Sequence, residues 1–209
     1  MKKKIVVLIS GRGSNLQAVF NANISGAEIV AVISNRSDAQ GLKWAEQHGL
    51  TTHVVEHQQY TQREAFDAAL MQFIDHYQPD LVLLAGFMRI LSPAFCLHYA
   101  ERLINIHPSL LPAFPGLHTH QRALESGCRV AGCTIHFVTP DLDCGPIIAQ
   151  GVVTVRDDDT VESLAHRVLQ VEHQLLPQAV ADFIADKLSI DGNRVRRKDA
   201  ATEINCLLN

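Results

Sequence analysis

The chain has 209 residues, 47% of them hydrophobic and 19% charged, which fits one globular domain with a real core and excludes a disordered chain. Lys and Arg number 18 and Asp and Glu 22, a formal net charge of −4, so there is no electrostatic footprint for nucleic acid or an anionic membrane. Five cysteines (Cys96, Cys128, Cys133, Cys144 and Cys206) form no C-x-x-C pair, which argues against a disulfide framework or zinc ribbon and for a reducing cytoplasm.

Met1-Lys2-Lys3-Lys4 before Ile5–Ile9 imitates the start of a signal peptide. The apolar run is too short, and Gly11-Arg12-Gly13 interrupts it, so a buried strand is the better reading. No other apolar run approaches the roughly 18 residues of a membrane span. Lys4–Ser10 reads as a strand, Ser14–Ile24 as a helix, Glu28–Ser34 as a strand, Ala39–His48 as a helix and Thr51–Val55 as a short strand. Thr61–Tyr77 reads as an amphipathic helix with Phe66, Leu70, Phe73 and Ile74 on one face, broken by Pro79 before the apolar strand Asp80–Ala85. Strands apolar on both faces and separated by helices predict an α/β fold: a Rossmann-like, mostly parallel, doubly wound sheet with helices on both faces.

Further along, Arg102–His107 reads as a strand ending at Pro108, followed by a Pro/Gly-rich stretch. Val130–Val138 and Ile147–Val155 read as longer strands joined by the loop 139–146, and Thr160–Ala185 as a long helix containing Pro177. Leu188–Ile190 and Arg194–Arg196 flank Asp191-Gly192-Asn193 as a hairpin. Lys198–Asn209 has no clear pattern and reads as a frayed tail. Residues 1–209 are taken as a single domain, with halves at 1–100 and 101–186 and a hairpin and tail at 187–209.

Three segments can carry chemistry. Ser10-Gly11-Arg12-Gly13-Ser14-Asn15 joins the first strand to the first helix, and a Gly turn at a helix N-terminus suits a phosphate. The third glycine of G-x-G-x-x-G is replaced by Leu16. Arg36 leaves a dinucleotide 2′-phosphate as an alternative, and a plain helix cap at Ser14 or Asn15 is another. Asn105 and His107 lie two apart on a strand and project to one face, where a donor pair suits a carbonyl becoming an oxyanion. Asp141 and Asp143 in the loop 139–146 could orient an imidazole. His118 and His120, or His53 and His57, have ligand-like spacing but no cysteine or carboxylate cluster nearby, so no metal is expected. Cys144 has no evident activator.

In series, Gly11–Gln17, Leu84–Leu91, Asn105–Pro112, Pro115–His120 and Asp141–Asp143 resemble the phosphoribosylglycinamide formyltransferase family, over about residues 4–185. The resemblance implies a cytoplasmic purine-synthesis enzyme of the formyltransferase type, with 10-formyltetrahydrofolate as co-substrate, no metal, small-molecule partners only, and a monomeric or homodimeric state. It implies Asn105, His107 and Asp143 as the catalytic group, and Gly13, Ser14, Asn15 and Glu172 for the ribonucleotide and its phosphate. Arg63, Met88, Arg89, Ile90, Leu91, Thr139, Pro140, Asp141 and Leu142 would bind the folate. His136 lies close to this region and is carried over only weakly. Departures are Ala113 where a basic residue is common, the apolar Leu169-Gln170-Val171 before Glu172, and Cys144 where glycine is usual, which requires an ordinary backbone there or strain. A formyltetrahydrofolate hydrolase and a non-catalytic phosphate-ligand module are the alternatives.

Overall fold

Ile5 to Ile9 are fully buried, and they make β1 (Lys3–Ile9) the centre of the molecule. Successive side chains of a strand face opposite ways. Ile5, Val7 and Ile9 therefore enter one core, and Val6 and Leu8 enter the other. The first core is closed by α1 (Ser14–Asn21), α2 (Gln40–Gln47), α5 (Thr119–Glu125) and α6 (Val161–Ile184). The second is closed by α3 (Arg63–His76) and α4 (Pro93–His98), through Phe66, Leu70, Ile74, Phe95 and Tyr99. This computed structural model describes residues 1–198; the expected tail beyond Lys198, with Cys206, lies outside the described residues.

The remaining strands are β2 (Ala27–Ser34), β3 (Thr52–Val54), β4 (Leu81–Leu84), β5 (Leu103–His107), β6 (Val130–Phe137), β7 (Ile147–Thr154), β8 (Leu188–Asp191) and β9 (Arg194–Arg197). They form one sheet in the order β3-β2-β1-β4-β5-β6-β7-β9-β8. The five strands from β3 to β5 are parallel, as the sequence predicts. β6 then runs antiparallel to β5, and β7 antiparallel to β6. The β8–β9 hairpin forms as expected and joins the sheet beside β7 through the Ile147–Arg194 pair.

Several boundaries differ from the sequence reading for local reasons. The first helix stops at Asn21, capped by Ala22, and Asn23 turns to φ 47°. Helices α4 and α5 are not predicted. The first is six residues long, capped by the Ser92 hydroxyl with Pro93 in its first turn. The second follows His118, whose φ of 57° starts a seven-residue helix. Pro177 is buried inside α6 and does not divide it. A capping box between Thr160 and Ser163 starts that helix.

α6 lies directly on the antiparallel pair. A Cβ on Gly151 would come within 2.2 Å of a Val171 methyl, so glycine permits the close approach that places the neighbouring Glu172. Gly151→Ala should push α6 away and cost about 1–3 kcal/mol, the usual range for overpacking. A lower urea midpoint with an unchanged slope would report this; an unchanged midpoint would mean that the helix has slack.

Candidate active site

At the carboxyl edge of the parallel half, β1 gives way to the loop 10–13. Gly13 caps α1 with φ 76°, and a Cβ there would sit 2.9 Å from Gly41 Cα. The Gly41 N–H donates to Gly11 O at 2.9 Å, locking the turn against α2. Both requirements select glycine. Ser14 and Asn15 open α1, where backbone N–H groups lack helical partners. Arg36 is held in a two-point pair by Asp38, at 2.8 and 2.7 Å, and Asn35 is buried with its Oδ1 accepting from Ser10 Oγ at 2.6 Å.

Asn15 Nδ2 donates to Glu172 Oε2 at 2.8 Å, joining α1 to α6. Glu172 is 6% exposed. Burial drives its carboxyl up to about 7, against the lowering effect of the Asn15 hydrogen bond. Asn15 Oδ1 is buried with no partner among the described residues.

Asn105 and His107 lie on β5, where Ile106 between them faces the core. His107 Nε2 donates to the Phe114 carbonyl at 3.0 Å. Its Nδ1 faces Asp143 Oδ2 at 3.5 Å, and both side chains are at most 8% exposed. At that length the contact is an ion-pair approach, and the carbonyl of Phe114 is the closer partner that holds the ring. Asp143 Oδ2 also accepts from the Gly116 N–H at 2.8 Å. Asp143 itself adopts φ 53°, while Cys144 keeps an ordinary backbone. Of the two alternatives at Cys144 the ordinary backbone holds, because the left-handed turn falls one residue earlier, on an aspartate that tolerates it.

These groups line one cleft of about 630 Å³. Asn15 and Glu172 stand at one side of it, and Asn105, His107 and Asp143 belong to its wall. The loop 88–91 and Thr139, Pro140 and Leu142 line it elsewhere, together with Arg63 at the start of α3. Gly13, Ser14 and Asp141 do not line the cleft. The loop 88–91 is pinned at both ends: Met88 N donates to Ser10 Oγ at 2.7 Å, and Ser92 N to Asp67 Oδ2 at 2.5 Å. Its middle stays open, with Met88 and Ile90 exposed and Leu91 buried. The Arg89 guanidinium lies 5.8 Å from the Phe66 ring centre.

Sequence reading missed Ser10, Asp67 and the Phe114 carbonyl, and gave His136 no role. His136 sits opposite Asn105 on β6, with its Nε2 3.2 Å from Asn105 Nδ2. Only the antiparallel pairing reveals it. His118 lines the cleft, and His120 beside it is held below the ordinary imidazole range by burial and secondly by His107. His53 and His57 bond to Tyr77 and Asn35. Among the described residues no group of three or more His, Cys, Asp or Glu side chains is placed to hold a metal ion. No described helix is long and apolar enough to cross a membrane.

A doubly wound sheet with donors and a carboxylate around a cleft at its strand ends puts a ligand site where open α/β enzymes carry theirs. Residues 3–180 match the family model described as formyl transferase. The chain is 50% identical to phosphoribosylglycinamide formyltransferase of Escherichia coli (strain K12) over 192 residues, 90% of this chain and 91% of that one. It superposes on phosphoribosylglycinamide formyltransferase from Coxiella burnetii with TM-score 0.90 and 45% identity, covering 100% and 99% of the two chains. A formyltetrahydrofolate deformylase from Pseudomonas syringae pv. tomato superposes with TM-score 0.87 and 32% identity, covering 95% of this chain and 67% of that one. The chain belongs to the formyl transferase family.

Glu172 gives a stability test. Its folded carboxyl holds a proton up to about 7, above the ordinary 4.5. The folded state therefore binds more protons than the unfolded chain between those values, and stability falls as pH rises through them. Glu172→Gln keeps an acceptor for Asn15 and escapes the loss. From pH 4.5 to pH 8 the variant should gain on wild type by up to roughly 3 kcal/mol, read from denaturation midpoints. A gap that does not change with pH would refute the assignment.

Proposed function

We propose that this chain transfers the formyl group of 10-formyltetrahydrofolate to the amine of glycinamide ribonucleotide, a step of purine synthesis. The observation that carries the reading is the convergence of Asn105, His107 and Asp143 in the one cleft that also reaches Asn15, Glu172 and Arg63. In this reading Gly13, Ser14 and Asn15 take the phosphate at the start of α1, by backbone N–H groups and the helix dipole. Glu172, oriented by Asn15, accepts from the ribonucleotide. Met88, Arg89, Ile90 and Leu91 take the folate rings together with Thr139, Pro140 and Leu142, and Asp141, outside the cleft wall, acts through the loop that carries them. Arg63 meets the folate's terminal carboxylate. The chain acts as one domain in the cytoplasm, as monomer or homodimer.

The amine nitrogen attacks the formyl carbon, and the C=O electron pair moves onto oxygen to give a tetrahedral oxyanion. Asn105 donates an N–H to that oxygen. His107 Nε2 is committed to the Phe114 carbonyl, so the proton it can offer a reacting group is on Nδ1. Asp143 stands on that same side at 3.5 Å and balances the imidazolium charge. On collapse the bond from the formyl carbon to the folate nitrogen breaks. That nitrogen takes up a proton, and the attacking amine has lost one, so protons balance without a covalent enzyme intermediate.

Asn105→Ala should lower kcat by about 10²–10³, the usual cost of one oxyanion donor, and leave the ribonucleotide KM within about threefold, since the lost contact forms in the transition state. Wild-type formyl transfer in both Asn105→Ala and His107→Ala would remove the assignment. The hydrolase alternative, kept because of the deformylase superposition, is decided by folate turnover with the ribonucleotide left out. Little turnover is expected; release of formate at the full rate would favour water as the acceptor.

A further inference from the structure

We propose that His136 is a positioning residue that fixes which end of the Asn105 amide faces the reacting carbonyl. This rests on the formyl-transfer reading above and adds a residue to it. Asn105 and His136 are direct neighbours across the β5–β6 pair. His136 Nδ1 lies 2.9 Å from the carbonyl of Phe137. A carbonyl can only accept, so Nδ1 carries the ring proton. Nε2 is then a lone pair, and at 3.2 Å it accepts an N–H from Asn105 Nδ2.

An asparagine amide has nearly the same shape after a half turn about its last bond, with oxygen and nitrogen exchanged. The reaction does not tolerate that exchange. An oxyanion needs the NH₂, and the turned amide would offer Oδ1, an acceptor, to developing negative charge. The lone pair on His136 Nε2 forbids the turn, because it would bring oxygen against nitrogen with no hydrogen between them. His136 is 2% exposed, which leaves little access for water as a substitute partner. The polarity runs one way: Phe137 C=O accepts from His136, His136 accepts from Asn105, and the second Asn105 N–H is left for the cleft.

The same ring nitrogen has a competing neighbour. Asp143 Oδ1 is 3.9 Å from Nε2. A second ring proton would turn Nε2 into a donor toward Asp143 and take away the Asn105 acceptor. Burial holds the His136 imidazole below its ordinary range and so favours the neutral ring, as does the nearby His107, while Asp143 and the Phe137 carbonyl pull the other way. Neutral His136 thus keeps Asn105 in its donating orientation and leaves Asp143 to His107.

The tests separate this role from plain sheet packing. His136→Leu removes the acceptor. His136→Asn keeps only a group near the Nδ1 position. His136→Gln carries an oxygen near the Nε2 position. Leu and Asn should lower kcat by on the order of 10² with the ribonucleotide KM within about threefold, and Gln should recover to within about tenfold of wild type. In an Asn105→Ala background, His136→Leu should cost less than about threefold more, because a residue acting through Asn105 has nothing left to position. Nitrogen-15 shifts of the intact wild-type protein should report the Nδ1-protonated ring. The proposal is overturned by an Nε2-protonated ring, by a Gln variant as impaired as Leu, or by a full additional loss on top of Asn105→Ala. If Asn105→Ala itself were as active as wild type, the reaction assignment would fall instead, while the ring tautomer would still judge the pairing. Should the Leu variant fail to fold, the contrast of Asn with Gln and the tautomer decide.

Discussion

The reversal of strand direction between β5 and β6 is the constraint on which the site depends. The parallel neighbour β4 gives Asn105 only Leu84 as a partner and does not reach His107. Because β6 runs back along β5, Asn105 meets His136 and His107 meets Thr134, in fixed register. Cross-strand neighbours of this kind are held by the backbone ladder and cannot drift independently. The parallel half then supplies the opposite need. It delivers the β1 and β4 ends, with the 10–13 and 88–91 loops, to the same edge.

That division explains how far the sequence could be read. Lys4–Ser10 and Asp80–Ala85 match the observed strands closely, because a strand buried on both faces leaves an uninterrupted apolar run. Helices α4 and α5 were invisible, since six or seven residues give no periodicity, and their starts rest on a capping hydroxyl and on a left-handed His118. Asn105 and His107 were legible because one strand carries both. The acidic loop drew attention to Asp141 and Asp143 together, the family resemblance singled out Asp143, and its left-handed backbone was not legible. His136 was placed near the site only through the family resemblance and without a role, since its partner Asn105 is on the strand opposite. The histidines divide in the same way: His107, His118 and His136 meet in the cleft, and His53 and His57 are local hydrogen-bonding residues.

Charge in the cleft follows burial more than composition. The chain is mildly acidic overall; Glu172 and Asp143 line the ligand space, and Asp67 stands behind it, holding the end of the 88–91 loop. Glu172 and Asp67 are both pushed up by loss of water, Glu172 against one side-chain donor and Asp67 against the Ser92 backbone. Asp143 keeps a backbone donor from Gly116 and an imidazole at 3.5 Å. The three acids are therefore differentiated by their partners. One sits where a proton can be held near neutrality, one anchors a loop, and one faces the reacting histidine.

The orienting groups are mostly main-chain atoms. Phe114 and Phe137 carbonyls set the two imidazoles, and the Gly116 N–H sets Asp143. Main-chain atoms have no rotamers, so the placing of His107 and Asp143 follows the fold of the 108–118 segment, while that of His136 follows β6 itself. That segment is tied down by buried and half-buried polar side chains outside the cleft. Ser109 Oγ donates to Ala113 O, Thr134 Oγ1 donates to Ser109 O and accepts from Leu111 N, and Gln150 Nε2 donates to Leu111 O. Thr134 and Gln150 lie on β6 and β7, which ties the loop to the antiparallel half. A buried network of this type is stabilising only when each member is satisfied. The segment that orients His107 and Asp143 is therefore fixed by the same strand reversal that pairs Asn105 with His136.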